Sequence, residues 1–248
     1  MKSLVFAAGL GTRLRPLTDT MPKALVPVGG RPLLDITLRR LISEGATEVV
    51  VNVHHFADQV TAYLAARDYG IPVRVSDETR LLLDTGGGLR KALALFETEP
   101  DAPILIHNVD ILSDAPLARF YAACREADAA LLVSPRPSTR QLYFDNAMRL
   151  RGWQNLTTGA TRSPLPHFSP DAHTPYAFSG IHLFSPRLLR ALEAYGERFP
   201  IMDFYLGECA RADIRGHLLP ALRLMDVGKA DTLERAKDFA EELGLATQ

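Results

Sequence analysis

A glycine-rich turn near the start of the chain carries residues suited to binding phosphate. Gly9 and Gly11 let the backbone come close to a ligand, and successive amides in such a turn can form a concave anion site. Arg13, Arg15 and Lys23 follow within eleven positions, in a segment stiffened by prolines. A glycine turn that carries its own cations suits a polyphosphate better than a purely structural turn does.

Two common nucleotide motifs do not fit this turn. The chain has no G-x-x-x-x-G-K-[ST] sequence, which excludes a P-loop. Leu14 stands where the dinucleotide fingerprint G-x-G-x-x-G requires its third glycine. The turn must therefore belong to another class of phosphate-binding loop.

Charge and composition narrow the class of protein. The 248 residues are 47% hydrophobic and 23% charged, which is typical of a globular protein. The formal net charge of −1 argues against a protein that coats nucleic acid or an anionic membrane. Residues 1–40 alone carry a charge of +5. The two cysteines are far apart in the sequence, and we expect both to be buried free thiols. We expect a cytoplasmic location, because no signal-peptide core or membrane-spanning run is evident.

The elements that position these residues alternate between strands and helices over the first 134 residues, which predicts an α/β fold. After Pro135 the pattern changes to a hairpin around Asp145-Asn146, then a long polar loop over 155–175 and a further strand. We predict one domain over residues 1–248. Its nucleotide-binding half covers about 1–134 and its sugar-binding portion about 135–226.

Ligands of such sheets bind beyond the carboxyl ends of the strands, and two of those ends carry acids. Asp110 follows the predicted strand over 103–106, and Asp226 ends a late strand. Either aspartate could instead cap a helix or a turn.

The segments Phe6–Thr18 (FAAGLGTRLRPLT) and Met21–Val28 (MPKALVPV) resemble the signature of the sugar-1-phosphate nucleotidyltransferases, the nucleotide-sugar pyrophosphorylases. The resemblance extends over most of the chain. Within the family, the compact members that act on acidic amino sugars are the most similar. It implies a three-layer α/β/α Rossmann-like fold with a mixed, mostly parallel sheet, and a Mg²⁺-dependent enzyme.

The resemblance also assigns roles to residues. Arg13 and Lys23 would be catalytic, with Arg13 on the leaving pyrophosphate and Lys23 near the α-phosphate or the sugar phosphate. Asp110 and Asp226 would hold Mg²⁺. The nucleotide would be bound by residues of the glycine turn, of a second glycine run and of one strand end, namely Ala8, Gly9, Gly11, Thr12, Gly86, Gly87, Gly88 and Asn108.

One position departs from the family. Members usually carry Asn-Gly-Asp where this chain has Asn108-Val109-Asp110. Val109 must therefore adopt an ordinary β conformation and point into the core. The glycine run permits two interpretations, a backbone surface against a flat base or a flexible start to a helix over 88–96. The glycine run is similar to the one in compact uridylyl enzymes, and this similarity favours uracil as the base that is bound.

The sugar side is predicted in the second half of the chain, with Asn155, Ser179, Gly180 and Asp203 as candidates. Asn155 could instead close a turn, and Asp203 could simply start a helix. Trp153 is expected in the core. His54 and His55 are expected to end a strand, because no third metal ligand is spaced with them.

These observations predict transfer of a nucleotidyl group from a nucleoside triphosphate, favouring UTP, to a sugar 1-phosphate such as N-acetylmuramate 1-phosphate. The attacking phosphate is already deprotonated, so no general base is required. A mannose-1-phosphate guanylyltransferase and a non-catalytic nucleotide-sugar-binding regulator are the alternatives. Neither nucleic acid nor a membrane is expected as a partner, and the oligomeric state is not predicted.

Overall fold

The computed structural model describes residues 1–97 and 102–245. The strands are β1 (Lys2–Phe6), β2 (Pro27–Val28), β3 (Arg31–Pro32), β4 (Glu48–Val53), β5 (Val73–Asp77), β6 (Ile104–Asn108), β7 (Ile111–Ser113), β8 (Ala129–Ser134), β9 (Arg140–Phe144), β10 (Leu150–Asn155), β11 (Thr161–Arg162), β12 (Thr174–Phe184), β13 (Ile214–Leu218) and β14 (Leu224–Asp226). The helices are α1 (Leu33–Ser43), α2 (Ala57–Ala65), α3 (Asp84–Leu93), α4 (Leu117–Cys124), α5 (Leu189–Glu193), α6 (Ile201–Glu208) and α7 (Ala230–Glu242).

Ten strands form one mixed sheet. Its main path runs β11-β10-β9-β12-β6-β1-β4-β5, with β8 paired to β12 and β13 paired to β8. The strands β6, β1, β4 and β5 are parallel to one another, whereas β12 is antiparallel to β6, β8 and β9. The sheet is therefore parallel in its centre and antiparallel on the sugar side, which confirms the predicted α/β class and the change of pattern after Pro135.

The sheet is covered on both faces, as the continuous apolar runs of its central strands require. Side chains alternate across β1: Leu4 and Phe6 belong to one buried cluster, whereas Val5 belongs to the other. Helix α1 packs on the second cluster through Leu34, and α6 packs on the first through Phe204. This arrangement is the expected three-layer architecture.

The glycine run lies inside a helix, so the helix predicted over 88–96 was placed too late. Helix α3 begins at Asp84 and contains Gly86, Gly87 and Gly88. Three glycines lower intrinsic helix propensity, which is why the sequence indicated a later start. Packing compensates for this cost, because Gly86 lies against the Phe199 ring, too close for a side chain at that position.

Candidate active site

The glycine turn follows the central strand β1 and is held from the neighbouring strand. The Asn52 Oδ1 atom accepts hydrogen bonds from the amides of Ala7 and Ala8, at 2.7 and 3.3 Å. Gly11 has a φ of +65°, and a Cβ atom there would lie 2.9 Å from the Thr18 side chain. The Thr18 hydroxyl donates to the Gly11 carbonyl at 2.8 Å. Gly11 is therefore required by both its backbone angle and its close packing.

The turn forms one wall of a cleft of about 450 Å³, here called the nucleotide-side cleft. Arg13 is exposed and lines this cleft. Lys23 also lines it, although the residue is only 7% exposed, and its Nζ atom forms an ion pair with Asp110. The two cations that the family resemblance marked as catalytic thus face the same space as the predicted phosphate-binding amides.

A short ladder brings the two aspartates together. Strand β14 pairs with β7 so that Asp226 lies opposite Ile111. The amide of Val227 donates to the Asp110 carbonyl at 2.8 Å. The residues at 110 and 226 therefore lie side by side, although 116 positions separate them in the sequence.

Asp226 lies beside Arg13 at the edge of the cleft, because a Cβ atom on Gly228, which lines the cleft, would lie 2.6 Å from Asp226 Oδ1 and 2.7 Å from Arg13 Nη2. Desolvation raises the pKa of Asp226, and the Asp110 carboxylate raises it further. The cations of Lys23, Arg13 and Arg136 act in the opposite direction. The absence of a side chain at Gly228 therefore leaves room for Asp226 and Arg13 to approach each other at the edge of the cleft.

The donor set fits Mg²⁺. Paired carboxylates are hard oxygen ligands, and Mg²⁺ commonly takes one or two of them together with phosphate oxygens and water. Within residues 1–97 and 102–245, no group of three or more His, Cys, Asp or Glu side chains could hold a metal. Two aspartates are enough for a metal whose remaining ligands come from a bound nucleotide.

Asn108 lies where the nucleotide-side cleft meets a second cavity of about 580 Å³, here called the sugar-side cavity. Phe6 and Thr85 also line both spaces. Gly180 has a φ of +80°, and a Cβ atom there would lie 2.9 Å from the Asn108 Nδ2 atom. Because Gly180 has no side chain, it leaves room for the Asn108 side chain between the two cavities.

The sugar-side cavity holds only some of the predicted sugar residues. Asn155 and Asp203 line it. The Asn155 Oδ1 atom also closes a turn by accepting from the Thr157 amide at 2.9 Å. Ser179 is buried and does not line the cavity, and its hydroxyl accepts a hydrogen bond from the Ile181 amide at 3.2 Å. The Ser179 and Gly180 assignments stay predictions, and the geometry gives both residues a packing role.

Trp153 was expected in the core but is only half-buried. It packs partly against the core and also lines the sugar-side cavity. The Arg162 guanidinium lies over its ring, 6.0 Å from the centroid. The expectation failed because strand alternation puts Trp153 on the open face of the hairpin.

The glycine run lines neither cavity, whereas Thr85, directly before it, lines both. The amide of Gly86 donates to the Phe199 carbonyl at 2.8 Å, and the Thr85 hydroxyl accepts from the Ile201 amide at 2.8 Å. Gly87 and Gly88 are buried, and Gly88 lies against Glu78. Contact of these glycines with a base stays a prediction, while their evident role is to hold α6 close to α3.

Several residues of the site were missed from the sequence. Asn52 and Glu78 line the nucleotide-side cleft, and the Asn52 Nδ2 atom donates to Glu78 Oε1 at 2.8 Å. Burial raises the pKa of Glu78, whereas bonds from the Leu83 amide and Asn52 lower it. The one signal was Asn52 itself, the polar residue in the otherwise apolar run VVVNV. Arg136 and Arg140 of the sugar-side cavity were also overlooked.

Val109 lies in the core as predicted, but it belongs to the turn after β6 and not to a strand, so the predicted β conformation is not confirmed. The residue is buried in the cluster that contains Leu34, and its amide donates to the Phe6 carbonyl at 3.1 Å. Its φ is not positive. The valine therefore replaces the usual glycine without strain, and the neighbouring Asp110 keeps its place.

A comparison with protein families matches residues 2–143 to the family described as nucleotidyl transferase. The chain belongs to that family. The predicted family resemblance, and with it membership of an enzyme family, is confirmed. Residues 1–55 carried the strongest resemblance, and they lie almost wholly within this match.

Several curated proteins are similar in sequence to part or nearly all of this chain. An N-acetylmuramate alpha-1-phosphate uridylyltransferase of Neisseria meningitidis is 31% identical over 252 residues, covering 97% of this chain and 98% of the relative. A protein of the same name from Caulobacter vibrioides is 49% identical over 111 residues, covering 44% of this chain and 45% of the relative. The chain thus spans less than half of that second relative. A mannose-1-phosphate guanyltransferase of Emericella nidulans is 35% identical over 54% of this chain and 37% of its own length.

Solved structures share the fold. The inositol-1-phosphate CTP transferase of T. maritima superposes with a TM-score of 0.76 at 16% identity, covering all of this chain and 96% of that one. At such low identity the match establishes the fold alone. Within the described residues, no helix is long and apolar enough to span a bilayer.

Proposed function

We propose that this protein transfers a uridylyl group from UTP to a sugar 1-phosphate, with N-acetylmuramate 1-phosphate as the preferred acceptor and pyrophosphate as the second product. The observation that carries the proposal is that Arg13, Lys23 and Asp110 line one cleft beside the glycine turn, with Asp226 close to Arg13 at its edge. The two relatives named as N-acetylmuramate alpha-1-phosphate uridylyltransferases support the choice of nucleotide and sugar. A cytoplasmic location belongs to the same proposal.

The reaction places two polyanions next to each other. A phosphate oxygen of the sugar 1-phosphate attacks the α-phosphorus of UTP, the bond from that phosphorus to the bridging oxygen breaks, and its electron pair leaves with pyrophosphate. No proton moves, so no general base is needed. Mg²⁺, held by Asp110 and Asp226 when bound, would supply positive charge beside the α-phosphate.

Side chains of this chain supply the rest of the charge. Arg13, at the open side of the cleft, would neutralise the leaving pyrophosphate. Lys23 is paired with Asp110 and is the only buried lysine among the described residues. It would bridge that carboxylate to the reacting phosphates. The amides of the glycine turn would hold the triphosphate.

The test is a pyrophosphate-release assay with each common nucleoside triphosphate against several sugar 1-phosphates. UTP with N-acetylmuramate 1-phosphate should be the best pair, and release should require Mg²⁺. Arg13→Ala should lower kcat/KM by about 100-fold or more, the usual loss when a group that stabilises transition-state charge is removed. Arg15→Ala is the matched control, because Arg15 lies in the same loop but pairs with Asp19 at 3.2 Å outside the cleft.

A guanylyltransferase is the second candidate, supported by the relative from Emericella nidulans. Preference for GTP and mannose 1-phosphate in the same assay would establish it instead. If no pair of substrates released pyrophosphate, catalysis would be refuted and a binding role favoured.

A further inference from the structure

The floor of the sugar-side cavity is one face of the β9–β10 hairpin. The ladder pairs Leu142 with Trp153 and Arg140 with Asn155. Because side chains alternate along a strand, these four project to the same face, and all four line the cavity. Tyr143, one position on from Leu142, is bonded to Gln154 at 2.6 Å on the other face. The hairpin thus presents an aromatic ring flanked by a guanidinium and an amide.

The cavity carries more positive charge than a neutral sugar requires. Three arginines line it, Arg136, Arg140 and Arg162, against the single acid Asp203. Arg162 is already neutralised by Asp203, at 2.8 Å. Among the described residues, no carboxylate lies within ion-pair distance of the side chains of Arg136 or Arg140. Two guanidinium groups therefore remain for a substrate.

Arg136 is placed to receive the phosphate. Its Nη2 atom donates to the Phe178 carbonyl at 2.8 Å, whereas its Nε atom is buried with no hydrogen-bond partner in the described structure. Burial lowers the pKa of Arg136, and Asp226 is the charge that counteracts this effect. The buried Nε donor at the cavity wall therefore remains for an anionic group of a substrate, such as its phosphate.

Arg140 lies elsewhere on the cavity wall, opposite Asn155 at one end of the hairpin ladder. Its backbone is fixed by the Ser138 hydroxyl, which accepts from the Arg140 amide at 3.2 Å. The hydrogen bonds of Arg140 in the described structure involve only its backbone, so its five N–H donors are available. A planar guanidinium at this position suits a carboxylate, which it can bind through two parallel hydrogen bonds.

We propose that Arg140 selects sugar 1-phosphates with a carboxylate on a ring substituent, while Arg136 binds the 1-phosphate of the same molecule. This inference rests on the proposed function and specifies its acceptor as a doubly anionic sugar. The Trp153 ring would pack against the sugar between the two guanidinium groups.

The experiment compares two acceptors that differ by one carboxylate-bearing ether, N-acetylmuramate 1-phosphate and N-acetylglucosamine 1-phosphate. Arg140→Gln should lower kcat/KM for the acidic sugar by about 10- to 100-fold, mainly through KM, because a charge-assisted pair is lost. The neutral sugar should change by less than about threefold. Arg140→Lys should recover part of the loss. Arg119→Gln, an exposed arginine on α4 outside the cavity, is the matched control.

A second arm uses the unaltered protein and the carboxamide analogue of N-acetylmuramate 1-phosphate. The amide should react as poorly with the unaltered protein as the acid does with Arg140→Gln, and the variant should not lower its rate further. This arm stands even where the variant fails to fold. Equal losses on both sugars, or equal rates with acid and amide, would overturn the assignment of Arg140 while leaving nucleotidyl transfer intact. Absence of pyrophosphate with every acceptor would overturn the proposed function itself.

Discussion

The folded chain favours the protonated form of Asp226 more strongly than the unfolded chain does. Desolvation and the Asp110 charge place the pKa of folded Asp226 above its ordinary value, so the native state holds this proton more tightly than the unfolded chain does. The stability linked to Asp226 is therefore present at acid pH and is lost as pH rises through the folded-state pKa. In the proposed function, the Asp226 carboxylate is retained for metal binding although its ionisation lowers the stability of the folded chain.

Asp226→Asn should consequently raise the melting temperature near pH 7 while it abolishes pyrophosphate release. The gain should shrink toward pH 4 and vanish below the ordinary pKa of 3.8, where wild-type Asp226 is also protonated. Calorimetry across this pH range measures the difference. The exposed Asp238→Asn on α7 should show no such trend. A variant that melts below the wild type at neutral pH would contradict the argument.

Gly180 permits a second residue-level test. Gly180→Ala should cost about 1 kcal/mol for its φ of +80° and about 1–3 kcal/mol more for the contact with Asn108. Gly70→Ala is the control, because Gly70 has a φ of +72° with nothing near its Cβ position. Chemical denaturation should separate the two costs. Activity should fall only in Gly180→Ala, since only that variant displaces Asn108 between the cavities.

Among the elements, α3 and α6 meet beside both cavities, because Thr85 lines both spaces and its hydroxyl accepts from the Ile201 amide. Gly86→Ala would place a Cβ atom 2.2 Å from the Phe199 ring, so the start of α6 must move. We expect a loss of about 1–3 kcal/mol in stability and a larger rise in KM for the sugar phosphate than for UTP. The double variant Gly86→Ala/Phe199→Leu should recover much of both losses. Equal changes in the two KM values would show that the junction does not position the sugar.

Elements with strong local patterns were predictable. The apolar run over 47–53 predicts β4, and the apolar face that begins at Pro32 and ends near Gly45 predicts α1, each to within two residues, because burial imposes their periodicity. The strand that ends at Asp226 was predicted as well, but β7 and its pairing with β14 were not, because three residues carry too little pattern and their partners are distant in sequence. The start of α3 was missed because contact with Phe199 overrides the low helix propensity of glycine.

Some residues of the candidate site could likewise be identified from the sequence, and others could not. Arg13 and Asp110 were identifiable because they lie in long motifs that the resemblance covers. The role of Arg140 was not, because it depends on a cross-strand register with Asn155 that only the folded hairpin establishes. Trp153 shows the same limit, since a half-buried aromatic residue has the same sequence signal as a core one.

For the whole molecule, two buried histidines lie on neighbouring strands at the boundary between the parallel and antiparallel parts of the sheet. His107 lies opposite Ile181, and His182 lies opposite Ile106. Burial lowers the pKa of His107 to about 4 and that of His182 to about 3. Both are neutral in the native state, so the stability they contribute is present above the unfolded value of about 6.5 and is lost as pH falls below it.

The free energy of unfolding should therefore fall by up to about 1.4 kcal/mol per pH unit for each histidine between pH 6.5 and pH 4.5. His107→Gln should have a lower stability at neutral pH but a shallower decline with acid. Urea titrations at several pH values measure both slopes. The exposed His55→Gln should keep the wild-type slope, and an unchanged slope in His107→Gln would refute the assignment.

The placement of Asp226 on the last strand has a consequence for local opening. All ten strands of the main sheet lie within residues 2–218, whereas Asp226 lies on a three-residue strand outside that sheet, which pairs with β7. The β7–β14 ladder can therefore open without unpairing any strand of the main sheet. Because few backbone pairs hold this ladder, a brief separation of Asp226 from Asp110 should cost far less free energy than global unfolding.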